Sequence, residues 1–259
     1  MRDFFLDVSR GVIVGAKTVN KFGRNPDVDT GTVPEDIWDG AGATPVWVPP
    51  TQARIHDIAS TSANDAAAGT GARTVRVNGL TSWDKPEVSE DVTLNGTSNV
   101  ATTNAYVIIH RMKCLTFGSG ETNAGNITAT AQSDGSVTAQ ITAGFGQTLM
   151  AIYGIPSVQE LYICQWYMDM NAVAAASNGA GMSLLVNERA DQSDSGFLVK
   201  HFLGLYASGS SHIGHSFIPP FKVAGPAIVK AQANTVTANN TDLSAGFDGV
   251  LYAYSHSPV

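Results

Sequence analysis

Tyr106-Val107-Ile108-Ile109-His110-Arg111-Met112-Lys113-Cys114-Leu115-Thr116-Phe117 is the stretch that decides the fold class. Side chains alternate across an extended chain. Val107, Ile109 and Leu115 therefore share one face, and Tyr106, Ile108, Met112 and Cys114 the other. Apolar residues on both sides predict a central strand covered on both faces. Upstream, Thr74-Val75-Arg76-Val77-Asn78 alternates strictly, and Asp91-Val92-Thr93-Leu94 runs into Asn95-Gly96. That dipeptide tolerates the positive φ of a type I′ turn and predicts a hairpin. Asp134-Gly135, between Ile127–Thr130 and Val137–Ile141, predicts a second hairpin, and Gly144-Phe145-Gly146 closes this half before Leu149–Ile155.

Further along, Leu161–Met170 sets Leu161, Ile163, Gln165 and Tyr167 against Tyr162, Cys164, Trp166 and Met168. Residues 171–181 are, Val173 apart, Ala, Asn, Gly and Ser and predict a loop or a weak helical turn. Strands are expected again at 182–189, 197–206, 216–223, 227–233 and 247–254. Short strands at this spacing describe an all-β protein of two β-sandwich or jelly-roll units, 51–155 and 156–259. Residues 1–50 read as an N-terminal arm. Phe4, Phe5 and Val8 predict a short helix near 2–9, ended by Gly11 and Gly15. From Lys21 to Pro50 the chain carries Pro26, Pro34, Pro45, Pro49 and Pro50 among glycines, which predicts an irregular, extended path. Phe22, Ile37, Trp38 and Trp47 are out of place in an exposed linker, so the arm is expected to dock on its own domain or on a neighbouring subunit.

Only 14% of the 259 residues are charged, against about 25% in an ordinary globular protein, while 43% are hydrophobic. The balance is made up by 26 glycines with Ser, Thr, Asn and Ala. This composition excludes a disordered chain and a long coiled coil. Fifteen basic and 22 acidic residues give a net charge of −7 with no basic run. No nucleic-acid partner is expected, because phosphate binding needs a positive stripe. No apolar stretch is long enough to span a bilayer, and no membrane partner is expected. Asp3, Asp7 and Arg10 interrupt the N-terminal segment, so no secretory signal is expected there. Cys114 and Cys164 sit in strand-like runs and read as small buried hydrophobes.

Candidate chemistry is sparse. Asp29-Thr30-Gly31 is the aspartic-protease triplet, but it occurs once and follows a turn sequence. His212 and His215 stand three apart among Gly and Ser, and read as loop histidines without a third metal ligand. His110 and His201 lie inside strands and read as hydrogen-bonded sheet residues. Asp27, Asp29, Glu35, Asp36 and Asp39 form an acidic cluster with no basic residue after Arg24 to compensate it; turn capping, calcium and a basic patch on a partner are the readings open to it. No phosphate-binding glycine loop, nucleophile elbow or paired catalytic carboxylates are present. No catalytic residue, cofactor or metal is expected. Trp83, in Ser-Trp-Asp-Lys-Pro, is the candidate for stacking on a sugar ring.

Four phrases taken together carry a resemblance: Lys21-Phe22-Gly23-Arg24-Asn25-Pro26-Asp27-Val28-Asp29-Thr30, Glu35-Asp36-Ile37-Trp38-Asp39-Gly40, Ala68-Gly69-Thr70-Gly71-Ala72-Arg73-Thr74-Val75, and Ala238-Asn239-Asn240-Thr241-Asp242-Leu243-Ser244-Ala245-Gly246-Phe247-Asp248. In these the chain resembles an uncharacterised family of structural virion proteins from tailed double-stranded DNA bacteriophages of the marine and cyanobacterial type. The resemblance implies a non-enzymatic virion component made in the host cytoplasm. The expected role is a capsid decoration, cement or fibre-base subunit, with a tail adaptor, collar or baseplate subunit or a host-carbohydrate module as alternatives. Expected partners are copies of itself, as a trimer, and other virion proteins such as the major capsid protein. Contact is expected through Phe22, Ile37, Trp38 and Trp47.

Overall fold

Sequence order and spatial order part company after the second strand. The computed structural model describes residues 3–172, 178–207 and 211–253. A six-residue helix, α1 (Phe4–Ser9), is capped by the Asp3 carboxylate. The chain then runs through β1 (Ala16–Val28) and the short β2 (Glu35–Asp36). It leaves to build a separate unit from β3 (His56–Ser60), β4 (Ala72–Leu80), β5 (Val88–Thr93), β6 (Val100–Ala101), β7 (Ile108–Phe117), β8 (Ile127–Ala131) and β9 (Val137–Ile141). It returns as β10 (Ile152–Ile155), β11 (Gln159–Ala172), β12 (Asn178–Asn187), β13 (Leu198–Ala207), β14 (Ser211–Ala224), β15 (Ala227–Val236) and β16 (Thr241–Ala253).

The larger unit is a sandwich of two antiparallel sheets, ordered β1-β16-β11-β14 and β10-β15-β12-β13, with β2 added on β15. Leaving β2 aside, its first strand pairs with its eighth, second with seventh, third with sixth and fourth with fifth. This is one long hairpin rolled up on itself. Trp166, Met168, Met170, Met182, Leu184, Leu243, Phe247 and Leu251 fill the space between the sheets. The smaller unit stacks the sheet β6-β3-β8-β9 on β5-β4-β7. Its core of Ile58, Val75, Val77, Ile108, Met112 and Ile127 is continuous with Trp38, Trp47, Ile152 and Ile228 of the larger unit. One apolar seam therefore joins the two.

The all-β class expected from the sequence is what the chain adopts, but the domain plan needs correction. The smaller unit is inserted between the first and second strands of the larger one rather than preceding it. Residues 16–28 are no irregular arm: β1 pairs with β16 from Ala16↔Tyr252 to Val28↔Thr241. Pro26 is tolerated because β1 is an edge strand and its register shifts between Asn25 and Val28. Gly23 is required because a Cβ there would lie 2.3 Å from the Ile37 carbonyl and 2.4 Å from the Ala151 nitrogen.

Four local readings also change. β7 lies at the edge of its sheet, beside β4. Its start is buried on both faces because the larger unit packs on it, with the His110 ring 4.5 Å from that of Tyr153. Asn95 and Gly96 do make a tight turn, with Gly96 at φ 62°. However, β6 pairs with β3, so the turn passes the chain between sheets instead of closing a hairpin. In β11 the two faces read from the sequence are exchanged midway. The register slips between Ile163 and Gln165 against both neighbours. This bulge at Cys164 puts Leu161, Ile163, Trp166, Met168 and Met170 all into the core. Of the loop expected at 171–181, residues 171–172 and 178–181 are strand and 173–177 lie outside the described residues, as does Tyr254.

Candidate functional site

The residues expected to grip a partner are placed by the fold inside their own chain. Ile37, Trp38 and Trp47 are 0% exposed. The Trp38 indole donates to the Thr44 carbonyl at 3.1 Å, and the Trp47 indole to the Thr138 carbonyl at 2.8 Å. Buried indoles with satisfied N–H groups are core residues and leave nothing for a neighbour. Phe22 is half-buried in β1, opposite Gly246. Four of the five acidic residues are likewise engaged internally, while Asp27 is exposed. Asp36 accepts from Lys230 at 2.6 Å and Gln232 at 2.9 Å, and Glu35 accepts from Asn25 at 2.7 Å. Asp39 accepts from the Thr142 amide at 3.1 Å, and burial raises its carboxyl to about 7. Asp29, of the Asp29-Thr30-Gly31 triplet, accepts from the Asn240 amide at 2.8 Å and closes a loop.

What stays uncovered is the part of the arm before β1. Phe4, Phe5 and Leu6 of α1 are exposed, as are Val12 and Val14, and in α1 only Val8 is buried. α1 stands over the outer face of the β16-β11-β14 sheet. There a cavity of about 550 Å³ opens among Phe4, Phe5, Tyr162, Cys164, Val250 and Tyr252. The Tyr162 and Tyr252 rings meet edge-on at 5.7 Å. Glu160 gives the cavity a polar rim, held by Lys222 at 2.5 Å and the Tyr162 hydroxyl at 2.7 Å. Burial pushes the Cys164 thiol up, so it remains a protonated, weakly polar wall; burial pushes Cys114 up to about 12. A second apolar zone lies on β13 and β14, the last strands of their sheets. Ile218 is 93% and Tyr206 74% exposed. Tyr206 and Phe202 lie across Gly179 and Gly181, where a Cβ would sit 3.2 and 2.6 Å from their rings.

The described histidines do not converge on one point. His212 and His215 are in strand β14, not in a loop, and three residues along a strand puts them on opposite faces. His212 pairs with Asp169 at 2.6 Å, whereas His215 stacks on His201 at 4.0 Å between ring centres. His201 accepts from the Trp166 indole at 3.2 Å, and burial followed by the His215 charge lowers its pKa. Among the described residues no group of three or more His, Cys, Asp or Glu is placed to hold an ion. Trp83 is half-buried against the core of the smaller unit. It lines a cleft of about 610 Å³ with Phe197, Asn187, Gln192 and Ser193.

No protein-family model matches the chain, and no curated protein matches it. Two solved structures of infectious bursal disease virus superpose loosely. For the Gt strain the identity is 10% over 94% of this chain and 74% of the other, with a TM-score of 0.26. For the Gx strain the values are 9%, 94% and 72%, with a TM-score of 0.24. Likeness at this level carries no argument about function. The helix itself was within reach of the sequence, from the spacing of Phe4, Phe5 and Val8. The partner of Asp36 was not, since Lys230 lies far along the chain.

Proposed function

We propose that this protein is a non-enzymatic structural subunit of a tailed-phage virion, a capsid decoration, cement or fibre-base subunit that self-associates, with a trimer as the favoured ring. The observation that carries the proposal is the pairing of an unburied apolar helix with an unfilled apolar cavity on one sheet face. Each copy offers both a projection, Phe4-Phe5-Leu6, and a recess beside Tyr162 and Tyr252, so a second copy of this chain is the occupant that matches both. Three further features support the reading. The rolled eight-strand sandwich has the jelly-roll order, an architecture shared by viral capsid, lectin and cupin domains. The surface is poor in charge, so neighbours pack without stranding ions. The sequence resembles phage virion proteins. The docking element is thereby narrowed from residues 1–50 to the stretch before β1.

The test is the full chain carrying Phe4→Ser and Phe5→Ser, followed by sedimentation velocity and by incorporation into particles. Wild type should form a closed oligomer and enter particles, and the variant should do neither while keeping its fold. A wild-type chain that remains monomeric at high concentration, or a variant that assembles normally, overturns the proposal. The cleft beside Trp83 supports a second reading, carbohydrate recognition, because two aromatic side chains there face amide and hydroxyl groups. Glycan binding that is lost in Trp83→Ala would favour it.

A further inference from the structure

Between β1 and β7, where the two units meet away from the apolar seam, lies a polar cleft of about 390 Å³. Lys17, Lys21, Arg111 and Lys113 line it, with Glu87 as its single carboxylate. In a chain of net charge −7 this is a local reversal of sign. The side chains cross the junction in both directions. Lys21 donates its ammonium to the His110 carbonyl, and Arg111 donates to the Asn20 carbonyl at 2.7 Å. Lys17 lies 3.7 Å from Glu87.

Two atoms in this cleft lack what burial demands. Lys21 is 2% exposed, yet the His110 carbonyl is its one hydrogen-bond partner and no carboxylate pairs with it among the described residues. An ammonium has three donors, and a buried charge without a counter-ion is expensive. Burial and then Arg111 disfavour its charge, and Glu87 and Asp39 attract it only from beyond pairing distance. His110, also 2% exposed, has its Nε2 at 2.8 Å from Glu87. A carboxylate only accepts, so the proton sits on Nε2 and Nδ1 presents a lone pair. That Nδ1 is buried with no partner. The cleft thus offers several cationic donors and one buried acceptor, a set complementary to an anion that also carries a hydroxyl.

We propose that the cleft binds a phosphate group in its protonated, monoester-like or hydrogen phosphate form, with its anionic oxygens on Lys21, Arg111 and Lys17 and its P–OH directed to His110 Nδ1. The cationic side chains supply charge-assisted bonds and the histidine supplies discrimination. Sulfate has the same shape and anionic oxygens but no hydroxyl at neutral pH, so it satisfies the cations and leaves Nδ1 unpaired. The volume exceeds what one phosphate fills, so free phosphate is admitted by this chemistry and so is a nucleoside monophosphate in its monoanionic form, the form that keeps a hydroxyl.

Calorimetric titration of the full chain at matched ionic strength, with sodium phosphate, sodium sulfate and a nucleoside monophosphate, tests the site. Phosphate should bind one to one, with sulfate weaker by about tenfold, the equivalent of one lost hydrogen bond. Lys21→Met should weaken phosphate by at least about tenfold. Arg111→Gln, at a more accessible position, should weaken it several-fold and guards against misfolding of the first variant. Tighter binding of the monophosphate assigns the remaining volume to a nucleoside, and equal binding confines the site to phosphate itself. No binding of phosphate to the folded wild type, or affinity unchanged in both variants, overturns the site. Sulfate binding as tightly as phosphate overturns the part given to His110.

Discussion

The ammonium of Lys230 lies 2.6 Å from the carboxylate of Asp36, 194 residues earlier in the chain, and both side chains are shut off from solvent. The same carboxylate accepts from the Trp47 amide at 2.7 Å and from Gln232 at 2.9 Å. Lys230 also sits 4.4 Å from the centre of the Phe197 ring. A pair buried this completely contributes little net stability, but losing one member strands the other. Lys230→Met should therefore cost about 3–5 kcal/mol by urea denaturation. Replacing both partners, Asp36→Asn with Lys230→Met, should recover part of that loss. A single variant within 1 kcal/mol of wild type, on the order of ordinary surface substitutions, would show that water reaches the pair.

Asp39 gives a pH dependence of defined sign. Burial holds its carboxyl at about 7 in the folded chain, above the ordinary value of 3.8, and its Oδ1 has no partner. The folded state therefore keeps a proton that the unfolded state gives up. Its contribution to stability is intact below pH 4 and is lost progressively as pH rises through 7, as linkage requires. Asp39→Asn should remove that decline and stabilise the protein at pH 8 by about 2 kcal/mol, allowing for partial solvent screening. Thermal melts of both proteins from pH 4 to 8 provide the check; parallel curves would refute the assignment.

Trp47 and Phe5 should behave oppositely. Trp47→Ala removes a wholly buried ring and a hydrogen bond to Thr138, and should cost about 3–5 kcal/mol. Phe5→Ser alters an exposed ring, and should change the stability of the monomer by no more than about 0.5 kcal/mol. Denaturation midpoints that rank the two the other way would mean that α1 belongs to the core.

Gly23→Ala tests the closure of the larger sandwich. The added methyl meets two backbone atoms, the Ile37 carbonyl and the Ala151 nitrogen, neither of which swings aside as a side chain does. A loss of about 1–3 kcal/mol is expected, the range for overpacking. Amide protection should fall along β1 before it falls in β12. Wild-type stability would show that β1 sits further from Ile37 than the 2.3 Å approach implies.

Where the fold was legible in the sequence, the reason was alternation. Thr74–Asn78 and Ile127–Thr130 each bury one face, and a period of two survives any arrangement of neighbours. Local rules failed where a distant element supplied the missing half. Pro26 reads as a break until β1 proves to be an edge strand beside β16. The apolar faces of Tyr106–Phe117 read as a central strand, although one of its covers is the other unit. Cys164 carries no sign that it is the extra residue of a bulge, so Trp166 fell on the wrong face by counting. For the candidate site, Phe4 and Phe5 were visible as a helix, but their exposure depends on what the outer sheet face leaves uncovered. The cleft at Lys21 joins residues from both units and had no local signature.

The insertion of one unit inside another sets an order of events during synthesis. Every strand pairing of the smaller unit lies within residues 56–141, so that unit closes while β10–β16 are still unmade. Of the described strands β1 is made first, yet its partner is β16, which is made last of them. Until Thr241–Ala253 arrives, β1 has no strand to pair with. Pairings this distant in sequence are slow to form and prone to aggregation in the interval. Yield in a heterologous host should therefore respond to temperature and chaperone supply more strongly than to substitutions that alter the stability of the finished fold.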